Sequence, residues 1–280
     1  VHKSIIHTYS PCKELPILFG LSDFIKGTST LYHSTVRLGV NLYVDYSKHP
    51  ISNFLTNSHC FSGSCNEEVI YFNNKAFLFS NLEIKKLLIR NDVIRILTHM
   101  ELSRDKITPD NTVFIKECFT PNTRLQQYID KLKKELPHEY NGLHIRVGDY
   151  PWGRGIIKNK DFLHKTIATI EEYILSQPCD VPILLISDNK DLKDCLKLKY
   201  SHIHTVDVEP IHLGELIKYP LLDKDLKKTK GTLAEFFLFL QSKSISSFSA
   251  YNEEGTGFTT VASKIFNIPV ITTKFLDWPY

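Results

Sequence analysis

Four clusters of residues in this chain have types and spacings that could do chemistry. The first is Gly142-Leu143-His144-Ile145-Arg146-Val147-Gly148-Asp149. It reads as a short apolar strand that ends in an arginine, with a glycine two residues later. An arginine on a rigid strand end can present its planar fork bidentately to a pyrophosphate. The glycine lets backbone approach closely. The second cluster is Ser187-Asp188-Asn189, where the Asp188 carboxylate could accept hydrogen bonds from the N–H edge of a base such as guanine. The third is Ser247, Ser249, Tyr251, Thr256, Gly257 and Thr259, in which Gly257 opens a helix whose first amides favour phosphate. The fourth is Gly20, Ser22, Asp23 and Gly27 near the start. Each cluster has a plainer reading. Arg-x-Gly-Asp also makes a turn with a salt bridge, and Ser-Asp-Asn also caps a helix.

The elements that must position these residues alternate between strand and helix. Leu15–Phe19 is expected as a first strand, Gly20–Gly27 as a turn, and the amphipathic stretch to Leu38 as a helix closed by Gly39. Val40–Tyr46 alternates as a strand does. Across 47–118, Val69–Phe72 and Val113–Lys116 read as strands and Leu82–His99 as largely helical. Later the pattern is clearer. Asn122–Leu136 is helical, Gly142–Val147 a strand, Lys160–Leu175 a helix and Pro182–Asp188 a strand apolar on both faces. Asp191–Lys199 is a helix, Ile203–Val208 a strand, and a Lys-rich loop runs to Lys230. Thr232–Ser242, Ser244–Ser249, Gly257–Phe266 and Pro269–Thr272 complete the alternation. Such alternation predicts an α/β fold with doubly wound parallel sheets. Ligands bind beyond the carboxyl ends of such strands, where all four clusters fall.

Composition excludes several classes. The chain has 280 residues, 42% of them hydrophobic, enough for two α/β domains, expected at 1–119 and 120–280. A net charge of +3, without a concentrated basic stripe, argues against a nucleic-acid partner. No apolar run is long enough to span a membrane. No signal-peptide pattern and no Asn-x-Ser/Thr sequon occur, which points to the cytoplasm, or to the secretory lumen had an anchor been trimmed. Six cysteines are too few for a disulfide scaffold. Cys60 and Cys65 could form a local disulfide, with unpaired thiols the default, and no second pair exists to complete a zinc site. The dinucleotide fingerprint, the Walker loop, the Gly-x-Ser-x-Gly elbow and His-Glu-x-x-His are all missing.

His144-Ile145-Arg146-Val147-Gly148-Asp149 resembles the His-x-Arg-x-Gly-Asp signature of the fucosyltransferases of GT-B fold, which include α1,2-, α1,6- and protein-O-fucosyltransferases. The resemblance covers about 120–273. Gly20-Leu21-Ser22-Asp23-Phe24 is similar to that family's Gly-x-Gly-Asn/Asp-x-Phe loop, with Ser22 in place of the second glycine. The resemblance implies two Rossmann-like domains facing across a cleft. It implies an inverting, metal-independent transfer of a sugar, L-fucose from GDP-fucose, to a glycan or glycoprotein acceptor, with no cofactor. Arg146 would hold the β-phosphate, His144 and Gly148 line the nucleotide pocket, and Ser187 and Asp188 stand by the guanine. Ser247, Ser249, Thr256, Gly257, Phe258 and Thr259 would surround the diphosphate and sugar. Gly20 to Asp23 would meet sugar and acceptor. Asp23 and Asp149 are candidate bases. The compact form is similar to soluble viral or bacterial members, which would place it in cytosol, the host's if viral. Tyr150, Trp152, Tyr219 and Trp278 could stack on sugar rings or simply pack. The residues also admit a UDP-sugar donor such as UDP-xylose, or a nucleotide- or sugar-binding protein without catalysis.

Overall fold

The computed structural model describes residues 3–63, 68–72, 77–101, 106–147, 160–250 and 255–276, with backbone alone at 77–80 and 160–163. The chain divides into two compact units, one of 1–125 with 212–226, the other of 126–211 with 227–280.

In chain order the first unit contains β1 (Ser4–Thr8), α1 (Leu21–Leu38), β2 (Asn41–Asp45), β3 (Leu55–Thr56), β4 (Val69–Phe72), α2 (Phe77–Arg90), β5 (Val93–Thr98), α3 (Pro109–Cys118) and β6 (Thr120–Pro121). Helix α4 (Thr123–Lys133) follows. The main sheet has the order β2-β1-β5-β4, and every neighbouring pair is parallel. Strands β3 and β6 form a small antiparallel pair.

The second unit contains β7 (Asn141–Arg146), α5 (Lys160–Ser176), β8 (Ile183–Ser187), α6 (Lys190–Lys199), β9 (Ile203–His204), α7 (Lys227–Phe239), β10 (Ile245–Ser249), α8 (Gly257–Thr260) and β11 (Val270–Phe275). Its sheet has the order β11-β10-β7-β8-β9, again parallel throughout. Side chains of β7 alternate between the two faces. Leu143 and Ile145 pack with Ile170 and Ile174 of α5 and Leu192 and Leu196 of α6. Gly142 and His144 point to the other face, against Phe239 of α7. Both units are thus Rossmann-like α/β layers, as the alternation predicts.

Several elements differ from the expectation. The first strand is β1, all five residues of which are buried, and 15–20 is not a strand. Pro16 removes a ladder donor from that apolar run. Helix α1 begins at Leu21, so Gly27 lies inside it and not in a turn before it. Gly39 closes the helix in the left-handed conformation, as its position predicts. The stretch 82–99 splits at Asn91-Asp92 into α2 and β5, because the β-branched run Val93–Thr98 pairs with β1 and β4. Residues 113–116 are helical, since Thr108 caps α3 by accepting the Asn111 N–H with Pro109 at the first turn. Residues 212–226 return to the first unit. There the Leu213 carbonyl accepts from His49 Nε2 at 2.9 Å. Cys60 is a free thiol, and Cys65 lies outside the described residues. Among the described residues no helix is long and apolar enough to cross a membrane.

Helix α1 lies so close to β5 that only glycine fits at the crossing. A Cβ on Gly27 would stand 2.0 Å from the Thr98 carbonyl oxygen and 2.8 Å from its carbon. Both are backbone atoms and cannot rotate aside. Gly27→Ala is therefore expected to destabilise the chain by about 1–3 kcal/mol or more. Urea denaturation reads this directly, and an unchanged midpoint would disprove the packing described.

Candidate functional site

The second sheet reverses its winding beside β7. The chain proceeds from β7 outward through β8 to β9, then returns to place β10 on the opposite side of β7. Helices α5 and α6 cover one face, and α7 and Phe258 the other. At such a reversal the connections leave in opposite directions and a crevice opens beyond the carboxyl ends of the two central strands. The register sets what lies there. Ser247 is level with His144 and Ser249 with Arg146.

Arg146 Nη1 stands 2.8 Å from Asp188 Oδ2. Asp188 Oδ1 accepts the Val147 N–H at 3.0 Å. The Asp188 side chain is 5% exposed and that of Arg146 24%. The carboxylate is thus the more deeply buried partner of the pair, and the guanidinium the more exposed one. Asp188, expected at the base, is engaged through both oxygens in fixing Arg146 and the turn after β7. An arginine held in this way is a positioned cation for an anionic ligand.

His144 is buried, stacked on Phe258 with ring centroids 5.2 Å apart, and hydrogen-bonded through Nδ1 to Thr256 Oγ1. Burial first, then the Arg146 charge, pushes its imidazole down to about 3. It is neutral at ordinary pH. Thr256 caps α8 by accepting the Thr259 N–H at 3.2 Å, and its own N–H donates to Ser247 Oγ at 3.1 Å. These bonds tie His144, Ser247, Thr256, Phe258 and Thr259 into one network at the start of α8, next to Gly257. Ser187 Oγ accepts the Asn189 N–H at 3.1 Å, and Asn189 Oδ1 caps α6 through the Leu192 N–H at 2.9 Å. The hydroxyl of Ser187 therefore shapes the turn that presents Asp188. The Ser249 carbonyl accepts the Leu276 N–H at 2.8 Å. Gly148, Asp149, Tyr150, Trp152, Tyr251 and Trp278 lie outside the described residues.

The remaining candidates belong to the first unit. Gly20 precedes α1, and Ser22 and Asp23 form its first turn. Asp23 Oδ1 lies 2.8 Å from Lys26 Nζ, which is 3.3 Å from Glu101 Oε2. His99 Nδ1 is 3.1 Å from the Tyr71 hydroxyl. The sequence reading missed Lys26, Glu101, Tyr71 and His99. Lys26 had a signal, being three residues after Asp23 on a helix. Tyr71 comes from β4, and His99 and Glu101 from the segment after β5, all far from Asp23 in sequence, and they had none. Among the described residues no group of three His, Cys, Asp or Glu side chains is placed to share a metal ion.

No protein-family model matches the chain, and comparison with curated protein sequences gives no match. Solved structures do match. NodZ alpha-1,6-fucosyltransferase from Bradyrhizobium, soaked with GDP-fucose, superposes with a TM-score of 0.55 at 13% identity, over 95% of this chain and 93% of that one. Arabidopsis thaliana FUT1, a mutant in complex with GDP, gives 0.62 at 13% identity over 100% and 72%. POFUT1 in complex with GDP gives 0.51 at 9% identity over 97% and 98%. At these identities the likeness shows the fold. The chain has the α/β architecture of GT-B fucosyltransferases, with two Rossmann-like units.

The network around His144 has a pH signature. Its folded pKa is depressed, so the unfolded chain binds more protons below the ordinary value of 6.5. Its contribution is fully present above pH 6.5 and lost as pH falls from 6.5 towards 3. The expected slope is about 1.4 kcal/mol per pH unit. His144→Asn keeps a hydrogen-bonding group and removes the titration. Chemical denaturation between pH 6 and 4 should show a shallower loss for the variant, and equal slopes would refute a buried neutral His144.

Proposed function

We propose that this protein is a glycosyltransferase that moves L-fucose from GDP-fucose to a glycan or glycoprotein acceptor, with inversion and without a metal. The observation that carries the reading is the Arg146–Asp188 pair across the carboxyl ends of β7 and β8, beside the reversal point between β7 and β10. A fixed cation stands where this kind of sheet binds ligands. The resemblance of the residues around it, and the fold shared with NodZ, FUT1 and POFUT1, support the assignment of a GDP-sugar to it.

The chemistry follows from charge. Breaking the sugar–phosphate bond produces an oxocarbenium-like sugar and a diphosphate anion. Arg146 would stabilise charge that grows on the diphosphate, helped by the amides and hydroxyls around Thr256, Gly257 and Thr259. His144, neutral and stacked on Phe258, would form an uncharged floor beside it. Gly148, Ser187, Ser247 and Ser249 would complete the donor pocket, with Asp188 contributing through Arg146 as well as by its place near the base. In this reading the donor belongs to 120–280 and the acceptor side to 1–119, with Gly20 and Ser22 near the sugar. The acceptor hydroxyl would lose its proton to Asp23 or Asp149.

Nucleotide binding separates the alternatives. Thermal unfolding should shift upward with GDP, by about 2.7 kcal/mol of stabilisation at a concentration 100 times Kd. A shift with UDP alone would overturn the GDP-fucose reading. Arg146→Ala should leave the chain folded and reduce GDP release from GDP-fucose by roughly 100- to 1000-fold. Unaltered turnover in that variant would remove Arg146 from the mechanism. GDP binding with no transfer or hydrolysis in the wild type would make the protein a binder.

A further inference from the structure

The first unit carries a groove of about 540 Å³ bounded by the last turns of α1, the start of β2, His59 and α3. Helix α1 runs antiparallel to the strands, so its end lies at their amino ends. The groove is therefore at the opposite end of the strands from Gly20 and Asp23.

Three features of the groove coincide. One is an open backbone rung. Strand β2 is at the edge of its sheet. The Asn41 N–H donates to the Lys3 carbonyl, and the parallel register then turns Asn41, Tyr43 and Asp45 towards β1. Leu42 and Val44 turn their N–H and C=O outward. Val44 is already paired on that side. Its N–H donates to the His59 carbonyl at 3.0 Å, and its carbonyl accepts from Asn57 Nδ2 at 2.6 Å. Leu42 is the next rung, and it lines the groove.

Charge is the second feature. Asp110 and Glu117 line the groove, and among the described residues no Lys or Arg does, although the chain as a whole carries +3. Glu117 holds His59 at 2.7 Å. The third is apolar surface. Val36 and Val113 are 65% and 53% exposed on its walls. The aromatic rings are not open platforms. Tyr32 packs on Phe114 at 4.6 Å, and His59 covers Phe114 at 4.4 Å. Stacking of a sugar or base is thereby disfavoured, and apolar side chains, carboxylates and a strand edge remain.

We infer that this groove binds an extended peptide segment bearing Lys or Arg, which continues the pairing at the free edge of β2 and sets its cations against Asp110 and Glu117. Main-chain bonds to Leu42 supply register. Alternate side chains of the guest point to the apolar wall and to the carboxylates. The inference stands independently of the donor reading.

A short fluorescent peptide of alternating Val and Lys tests it by anisotropy with the full chain. Saturable binding is expected, weakened when salt rises from about 0.05 to about 0.5 M. Val-Glu and Val-Ser peptides should bind far more weakly. N-methylation of one alternate set of peptide amides should weaken binding at least about tenfold and of the other set little, because only one set faces the strand. The double variant Asp110→Asn with Glu117→Gln should lose roughly five- to tenfold in affinity. No binding, equal binding of the Val-Ser or Val-Glu peptide, or indifference to both methylation patterns would each overturn the proposal. These arms use the unaltered protein, so the outcome does not depend on the variant folding.

Discussion

The central position of β7 is the constraint on which the second unit depends. A parallel strand needs a crossover on each side, and crossovers have one hand. Placing β8 on one side of β7 and β10 on the other sends their connections to opposite faces of the sheet. No side chain has to be spent on opening a crevice there, because topology opens it. The residues at the end of β7 then inherit a position from which ligand can be reached. Arg146 and His144 follow from that position, as do the serines of β10 that lie level with them. The first unit obeys the same rule with β1 between β2 and β5, which is why Asp23 and its ion partners gather near the carboxyl ends of those strands.

Electrostatics divides the second unit into two regimes. Near the end of β7 an arginine whose side chain is 24% exposed meets a carboxylate that is 5% exposed. Deeper, between α6 and α7, Lys193 and Glu235 form a pair that is almost wholly buried at 2.6 Å. Burial raises the Glu235 carboxyl to about 7 in spite of the opposing lysine charge. Desolvation there offsets the attraction, so a buried pair of this kind adds little net stability. Lys193 also donates to the Val206 carbonyl at 3.2 Å, which gives the buried ammonium a second partner.

Much of the second unit was legible in the sequence. Short continuous apolar runs such as Ile183–Ile186 read as buried strands, and the helices around them carry clear periodicity. The first unit was less legible. Ser4–Thr8 contains three polar residues, Ser4, His7 and Thr8, all of them buried. His7 bonds to Thr28 Oγ1 at 2.9 Å and to the Thr98 carbonyl at 3.1 Å. Periodicity cannot see such satisfaction, so that strand was missed. Arg146 was visible as a strand-end cation, while its partner was not. The sequence offers Asp149 and Asp188 equally, and only the β7–β8 register brings Asp188 close. The return of 212–226 was invisible for a similar reason. It depends on Leu213 reaching His49, far earlier in the chain.

The bond between Arg146 and Asp188 also bears on entropy. A free arginine side chain explores many rotamers, worth about 2 kcal/mol of entropy. Here much of that freedom is surrendered when the chain folds, because the carboxylate is fixed by the Val147 N–H and the strand beside it. An anion arriving at the crevice meets a guanidinium that is already oriented. The loss of rotamer freedom, about 0.5–1.5 kcal/mol for each side chain ordered at an interface, is then charged to folding and not to binding. Asp188 would thus raise the affinity for an anion even though its own charge repels one.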